Sequence, residues 1–188
     1  MPYKAYAETD ILIVGPDRVT TRIFGNRLAL KLKKPALFPA AGIDVKNGKL
    51  KIMGGSVQVV IPKRSACYEC VNQPSNLEIM RETLDEKRRK ILSQKYSLGN
   101  LLEVTPTPSI VCLNGVIASL TVWEVVKVIT KIQKPIYFQV YDAISCKIKR
   151  LEVQRDPNCP ACGKIKKEEV GKIEKLAKLK EELSRWIS

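Results

Sequence analysis

Four cysteines stand in two Cys-x-x-Cys pairs, Cys67-Tyr68-Glu69-Cys70 and Cys159-Pro160-Ala161-Cys162. Two thiolates spaced this way can grip one tetrahedral metal, and two such pairs complete an S4 shell. That shell suits a structural zinc and leaves no open coordination position for catalysis. Gly163 follows the second pair, where the backbone must fold tightly around the metal. The ligand types alone leave iron open beside zinc. A redox Cys-x-x-Cys is the other reading, and it calls for one reactive pair at a helix start rather than two pairs among turn residues. A short zinc ribbon closes over roughly 15–20 residues. Here the whole stretch from Val71 to Asn158 lies between the pairs. The metal is therefore expected to clip together distant parts of a larger domain, removing the entropy of a long loop.

The other chemistry is bounded by what the composition lacks. Histidine is absent from the 188 residues, so Ser-His and Cys-His nucleophile pairs are excluded. With 45% hydrophobic residues the chain can bury an ordinary core. No signal peptide and no apolar run long enough to span a bilayer are read, so a cytoplasmic location away from membranes is expected, with the cysteines as metal ligands or thiols rather than disulfides. The formal charge of +14 invites nucleic acid as a partner. Acids interleave with the lysines, as at Glu168-Glu169 and Glu181-Glu182, and aromatics make up only 6%, which favours a solvated lysine-rich surface.

The elements that would position these residues follow from hydrophobic period. Ile11-Leu12-Ile13-Val14 stops at Gly15-Pro16 and reads as a buried parallel strand. Asp17 follows, and Thr20 to Lys33 has helical spacing, ended by Pro35. Ala36-Leu37-Phe38 reads as a second short strand. Lys49 to Ile61 reads as a hairpin or bulged pair broken at Gly54-Gly55. Leu77 to Gln94 is a charged helix, Leu98 to Ser109 a loop, and Val116 to Ile132 a long helix, apolar nearly all round and so expected to be well buried. Ile136–Tyr141 and Lys147–Gln154 form a strand pair. Residues 164–188 form an amphipathic helix with Val170, Ile173, Leu176, Leu179, Leu183 and Trp186 on one face. Cys112 and Cys146 read as buried core thiols.

Four segments, taken in order, resemble the C-terminal, zinc-binding portion of the ThiF/MoeB/HesA family, relatives of ubiquitin-activating enzymes. They are Ile11 to Asp17 with Arg22 and Asn26; Pro62 to Cys70; Gly115 to Lys127 with Glu124; and Tyr141-Asp142-Ala143 through Asp156 to Gly163. The resemblance implies an α/β fold: three layers around a partial Rossmann-like sheet of the ThiF/MoeB type, with a structural tetracysteine zinc site, to which the periodicity adds the C-terminal amphipathic helix. Residues 1–163 would form that domain, and residues 164–188 the helix. It further implies adenylation of the C-terminus of a ubiquitin-like or sulfur-carrier protein with ATP and magnesium. Asp17 matches the position that helps to hold the magnesium, and Arg22 and Asn26 match the arginine and asparagine that follow it. Asp17 alone also reads as a turn or helix-capping aspartate.

The departures from that pattern shape the expectation. The glycine-rich βαβ unit that cradles phosphates in the family is not among these residues, and Gly54-Gly55 is not followed by any phosphate-loop pattern. No cysteine lies in the loop from Asn100 to Ser109. The chain is therefore expected to work with a partner that supplies the phosphate-binding half, and to be inactive alone. A zinc scaffold that binds a protein partner is the alternative, and a basic nucleic-acid-binding zinc protein is the third. An open strand edge further predicts a homodimer or a complex with the missing half.

Overall fold

A computed structural model describes residues 2–102 and 108–163. The helix expected over 164–188 and part of the loop before the long helix lie outside the described residues. The described chain opens with α1 (Pro2–Glu8), then β1 (Leu12–Ile13) and α2 (Val19–Leu32). β2 (Ala36–Lys46), β3 (Lys49–Val60), α3 (Tyr68–Asn72), α4 (Asn76–Thr83) and α5 (Glu86–Lys95) follow. Then come a 3-10 turn (Gly99–Leu102), α6 (Val111–Thr130), β4 (Phe138–Asp142) and β5 (Lys147–Arg150).

The sheet runs in the order β1-β2-β3-β4-β5. Among the described residues only β1 and β2 are parallel, and the remaining pairs are antiparallel, so the α/β fold is built on a mixed sheet. The Rossmann-like character is confined to the β1–α2–β2 unit. Period-two burial sorts the sheet into two faces. Ala36, Phe38 and Val60 join Leu12, Val14 and Ala29 on the α2 side, together with three of the four paired cysteines. Leu37, Val57 and Val59 pack against Leu113 and Ile117 of α6 on the other. The result is helix, sheet and helix in three layers.

Several sequence expectations are corrected. β2 does not end at Phe38 but runs on to Lys46, and it pairs with β3 along its length, turning at Asn47-Gly48. Both turn residues have positive φ, 53° and 69°, the conformation that a two-residue hairpin requires. Gly54 and Gly55 make no bulge or turn. The register irregularity falls at Asp44/Val45, and the glycines sit mid-strand, where a Cβ would lie 2.3 Å from the Tyr141 and Ala40 carbonyls respectively. They are glycine because neighbouring strands approach too closely for a side chain. The charged helix is two helices. Ser75 caps α4 in a reciprocal box with Glu78, and Asp85 caps α5 by accepting from Arg88 N.

α6 is not buried all round. Leu113, Ile117, Thr121, Glu124 and Lys127 face the sheet, while Val111, Val122, Trp123 and Ile129 are exposed. Its 20 residues are long and apolar enough to cross a membrane, contrary to the sequence reading. One of its sides packs on the sheet and carries the buried Glu124–Lys127 pair, while 28% of the apolar span is buried.

Candidate metal centre and adjoining cleft

Beyond β3 the chain turns at Pro62. Ile61 O accepts from Arg64 N and Ser65 N, and the buried Ser65 hydroxyl accepts from Ile61 N. This turn delivers Cys67 to the start of α3, a helix start where turn residues were expected for both pairs, and its carbonyl accepts from Cys70 N at 3.1 Å. The second pair is shaped the same way, with Cys159 N on Asp156 O and Gly163 N on Cys159 O. A side chain at Gly163 would meet the Pro157 and Cys159 carbonyls at 2.5 and 2.6 Å, so this turn requires glycine.

The two pairs come together as the spacing predicted. All four Sγ atoms lie within 4.8 Å of one another. Cys67 Sγ is 3.7 Å from Cys70 Sγ and 3.6 Å from Cys159 Sγ, and Cys70 Sγ is 3.3 Å from Cys162 Sγ. These separations are far longer than a disulfide bond. They approach the edge of a tetrahedron with metal–sulfur bonds of about 2.3 Å, roughly 3.8 Å. The donor set, the burial and the separations therefore fit a metal. Two N–H groups point at the sulfurs, Asn26 Nδ2 at Cys67 (3.6 Å) and Asp156 N at Cys70 (3.5 Å). Burial pushes the Cys67 and Cys162 thiols up from their ordinary value. Burial acts the same way on Cys70, but the N–H of Asp156 and the contact with Cys162 outweigh it and bring that thiol down.

A cleft of about 570 Å³ opens beyond the end of β1, between the β1–α2 turn and the N-terminal half of α6. Asp17 and Arg22 both line it. Asp17 is exposed. Arg22 is buried, and its guanidinium donates to Pro16 O (2.8 Å) and Pro39 O (2.6 Å), which clamps the Gly15-Pro16-Asp17 turn onto β2. Asn26, the third residue of that motif, does not line the cleft. It is fully buried one turn further along α2, where Oδ1 accepts from Tyr68 N and Nδ2 donates to Glu69 Oε1 and Cys67. Arg27 pairs with Glu69 at 2.8 Å, and that bond raises the arginine further.

Other residues of the site were not singled out from the sequence. Glu82 of α4 accepts from Val19 N, Thr20 N and the Thr20 hydroxyl at 2.7–2.8 Å, so it caps α2 from 62 and 63 positions away. Gln58, Tyr68 and Asn72 line the cleft. A long-range cap leaves no local signal; the nearest hint was the Ser75–Glu78 box that announces α4. Cys112 and Cys146 are both exposed, not buried core thiols. Cys112 begins the open face of α6, and Cys146 sits in the β4–β5 turn with φ 53°.

The profile described as "ThiF family" matches residues 2–161. A sulfur carrier protein adenylyltransferase of Thermus thermophilus is 40% identical over 156 residues, covering 82% of this chain and 49% of the relative. Among solved structures, the microcin C7 biosynthetic enzyme MccB in complex with N-formylated MccA superposes with a TM-score of 0.60 at 20% identity, over 86% of this chain and 44% of that one. E. coli MccB with ATP gives 0.56 at 19% identity, over 86% and 42%. At these identities the structural likeness shows the fold. The chain spans about half the length of the curated relative.

Proposed function

The chain belongs to the ThiF family, and on that premise we propose that it is the metal-bearing half of an enzyme that adenylates the C-terminus of a sulfur-carrier or ubiquitin-like protein. The observation that carries this reading is that Asp17 and Arg22 both line one cleft, at the end of β1, within a family match that runs from residue 2 to 161. Open α/β sheets take ligands beyond the carboxyl ends of their parallel strands.

In this reading a carrier carboxylate attacks the α-phosphorus of ATP, and pyrophosphate leaves. Asp17 would hold the magnesium that offsets phosphate charge. Arg22, committed to two carbonyls, positions the Asp17 turn rather than touching substrate. Asn26 positions the cysteine turn. Cys67, Cys70, Cys159 and Cys162 would hold zinc, which supplies cross-linking and no chemistry. The backbone amides that cradle phosphates would come from a complementary half outside these 188 residues, because no glycine-rich βαβ unit is present in them. Among the described residues β1 stands at the end of the sheet with one neighbour, an edge suited to such a half or to a second copy in a homodimer. A reducing cytoplasm would keep the four ligand thiols available.

The exposed apolar side of α6 favours a second reading, a zinc scaffold that binds protein without catalysis. Calorimetric titration with Mg-ATP separates the two once the complementary half is added. The adenylating reading expects weak or no binding by the chain alone and binding that depends on Asp17 in the reconstituted complex. The scaffold expects none in either state.

A further inference from the structure

We propose that the tetracysteine cluster shapes the cleft, so that metal occupancy controls the cleft wall and is not only a remote clip. The proposal rests on the metal assignment above.

The connection is one short helix. α3 begins immediately after Cys67 and contains Cys70, and the same five residues present Tyr68 and Asn72 to the cleft. Tyr68 stacks on Phe38, another wall residue, with ring centroids 4.9 Å apart. Gln58, on the floor of the cleft and buried, bridges the two sites. Its Nε2 donates to Cys67 O at 3.0 Å, and its Oε1 accepts from Asn72 Nδ2 at 3.1 Å. Asn72 Nδ2 also donates to Tyr68 O, and Tyr68 N donates to Asn26 Oδ1, whose amide points at Cys67 Sγ. From Cys67 Sγ through Asn26, the Tyr68 backbone, Asn72 and Gln58 back to Cys67 O, these groups form one circuit of hydrogen bonds.

Without a metal, the four close sulfurs keep the two N–H contacts from Asn26 and Asp156 and their core packing, and Cys67 is the residue from which Tyr68 and Asn72 follow. Movement of Cys67 strains its carbonyl bond to Gln58 and, through the adjoining Tyr68, the stack on Phe38. By linkage the coupling runs both ways, so loosening the cleft side must weaken the metal.

Hydrogen exchange of the metal-loaded and chelated protein tests the first direction. The expected result is faster exchange at residues 67–73 and 155–163 and, with them, at the cleft-lining residues around Arg22, Phe38 and Gln58, while β4 stays protected. Acceleration confined to the two cysteine turns would overturn the proposal. So would a chain that purifies without metal. Where chelation unfolds the whole domain, Asn72→Ala tests the second direction. It leaves all four thiols in place and cuts the bond to Gln58. The proposal expects one metal still bound, with a release rate to a competing chelator raised several-fold; an unchanged rate would overturn it. Neither measurement uses a nucleotide or a carrier protein, so a failed adenylation assay decides neither.

Discussion

Lys127 Nζ donates to Glu124 Oε1 at 2.7 Å, one turn apart on α6, with the side chains only 4% and 0% exposed. Glu124 also accepts from Gln139 Nε2 and, through Oε2, from Ile136 N, so this carboxylate ties α6 to the strand that follows. Breaking a buried pair by removing one charge costs about 3–5 kcal/mol, because the other charge is left uncompensated. Glu124→Gln should therefore destabilise the chain by that order in urea unfolding. Adding Lys127→Met should recover part of the loss. A single variant as stable as the parent would show that the pair is not buried in solution.

The cysteine cluster makes a second prediction. Cys67 and Cys159 are 92 positions apart, and a cross-link closing a loop of that length is worth about 4–5 kcal/mol of chain entropy. Cys159→Ser should abolish stoichiometric zinc and lower the unfolding midpoint of the whole domain, not only of the last residues. Elemental analysis and urea unfolding read the two effects. Freshly purified parent protein lacking both zinc and iron would contradict the assignment.

Glu82 predicts a pH dependence. Burial works to raise its carboxyl, but the amides of Thr20 and Val19 and the Thr20 hydroxyl outweigh it and hold the group below the ordinary carboxylate range. A carboxyl depressed in the folded state contributes stability above its unfolded pKa, about 4.3. That contribution is lost as pH falls through the lower folded value. Glu82→Gln should therefore be less stable than the parent at neutral pH, and the difference should shrink in acid. A gap that stays constant down to pH 2 would contradict the cap.

The open edge at β1 predicts association. Ile13 on that strand is 55% exposed and Phe24 on α2 is 61% exposed. Sedimentation at micromolar concentration should show a dimer that Ile13→Lys weakens. A monomer at every concentration would remove the homodimer from the reading.

Much of this was legible because its signals are local. The Cys-x-x-Cys spacing, the apolar run before Gly15-Pro16 and the helical period after Asp17 each depend on neighbours in sequence. The cysteine cluster and α2 accordingly stand where they were expected, while β1 is a two-residue strand with Ile13 exposed where a buried strand was expected. What failed depends on distance. Gly54 and Gly55 look like a break until strands β2 and β4 are seen pressing on them. An apolar helix looks wholly buried until only one of its sides is found against the sheet. Asn26 falls in a motif with Asp17 and Arg22, yet the helical turn from Arg22 carries it away from the cleft and onto the cysteines. Gln58 gives no sign in sequence that it bridges the two sites, since both its partners lie beyond the turn at Pro62.

The central claim is that these residues form one half of an adenylating site. ATP–pyrophosphate exchange tests it most directly, with a sulfur-carrier protein present and the chain assayed alone and then mixed with a separately expressed glycine-rich half from a full-length relative. A half-site of this kind gives no exchange by the chain alone, exchange on mixing, and its loss with Asp17→Asn. Exchange by the isolated chain, or exchange on mixing that Asp17→Asn leaves intact, would contradict it.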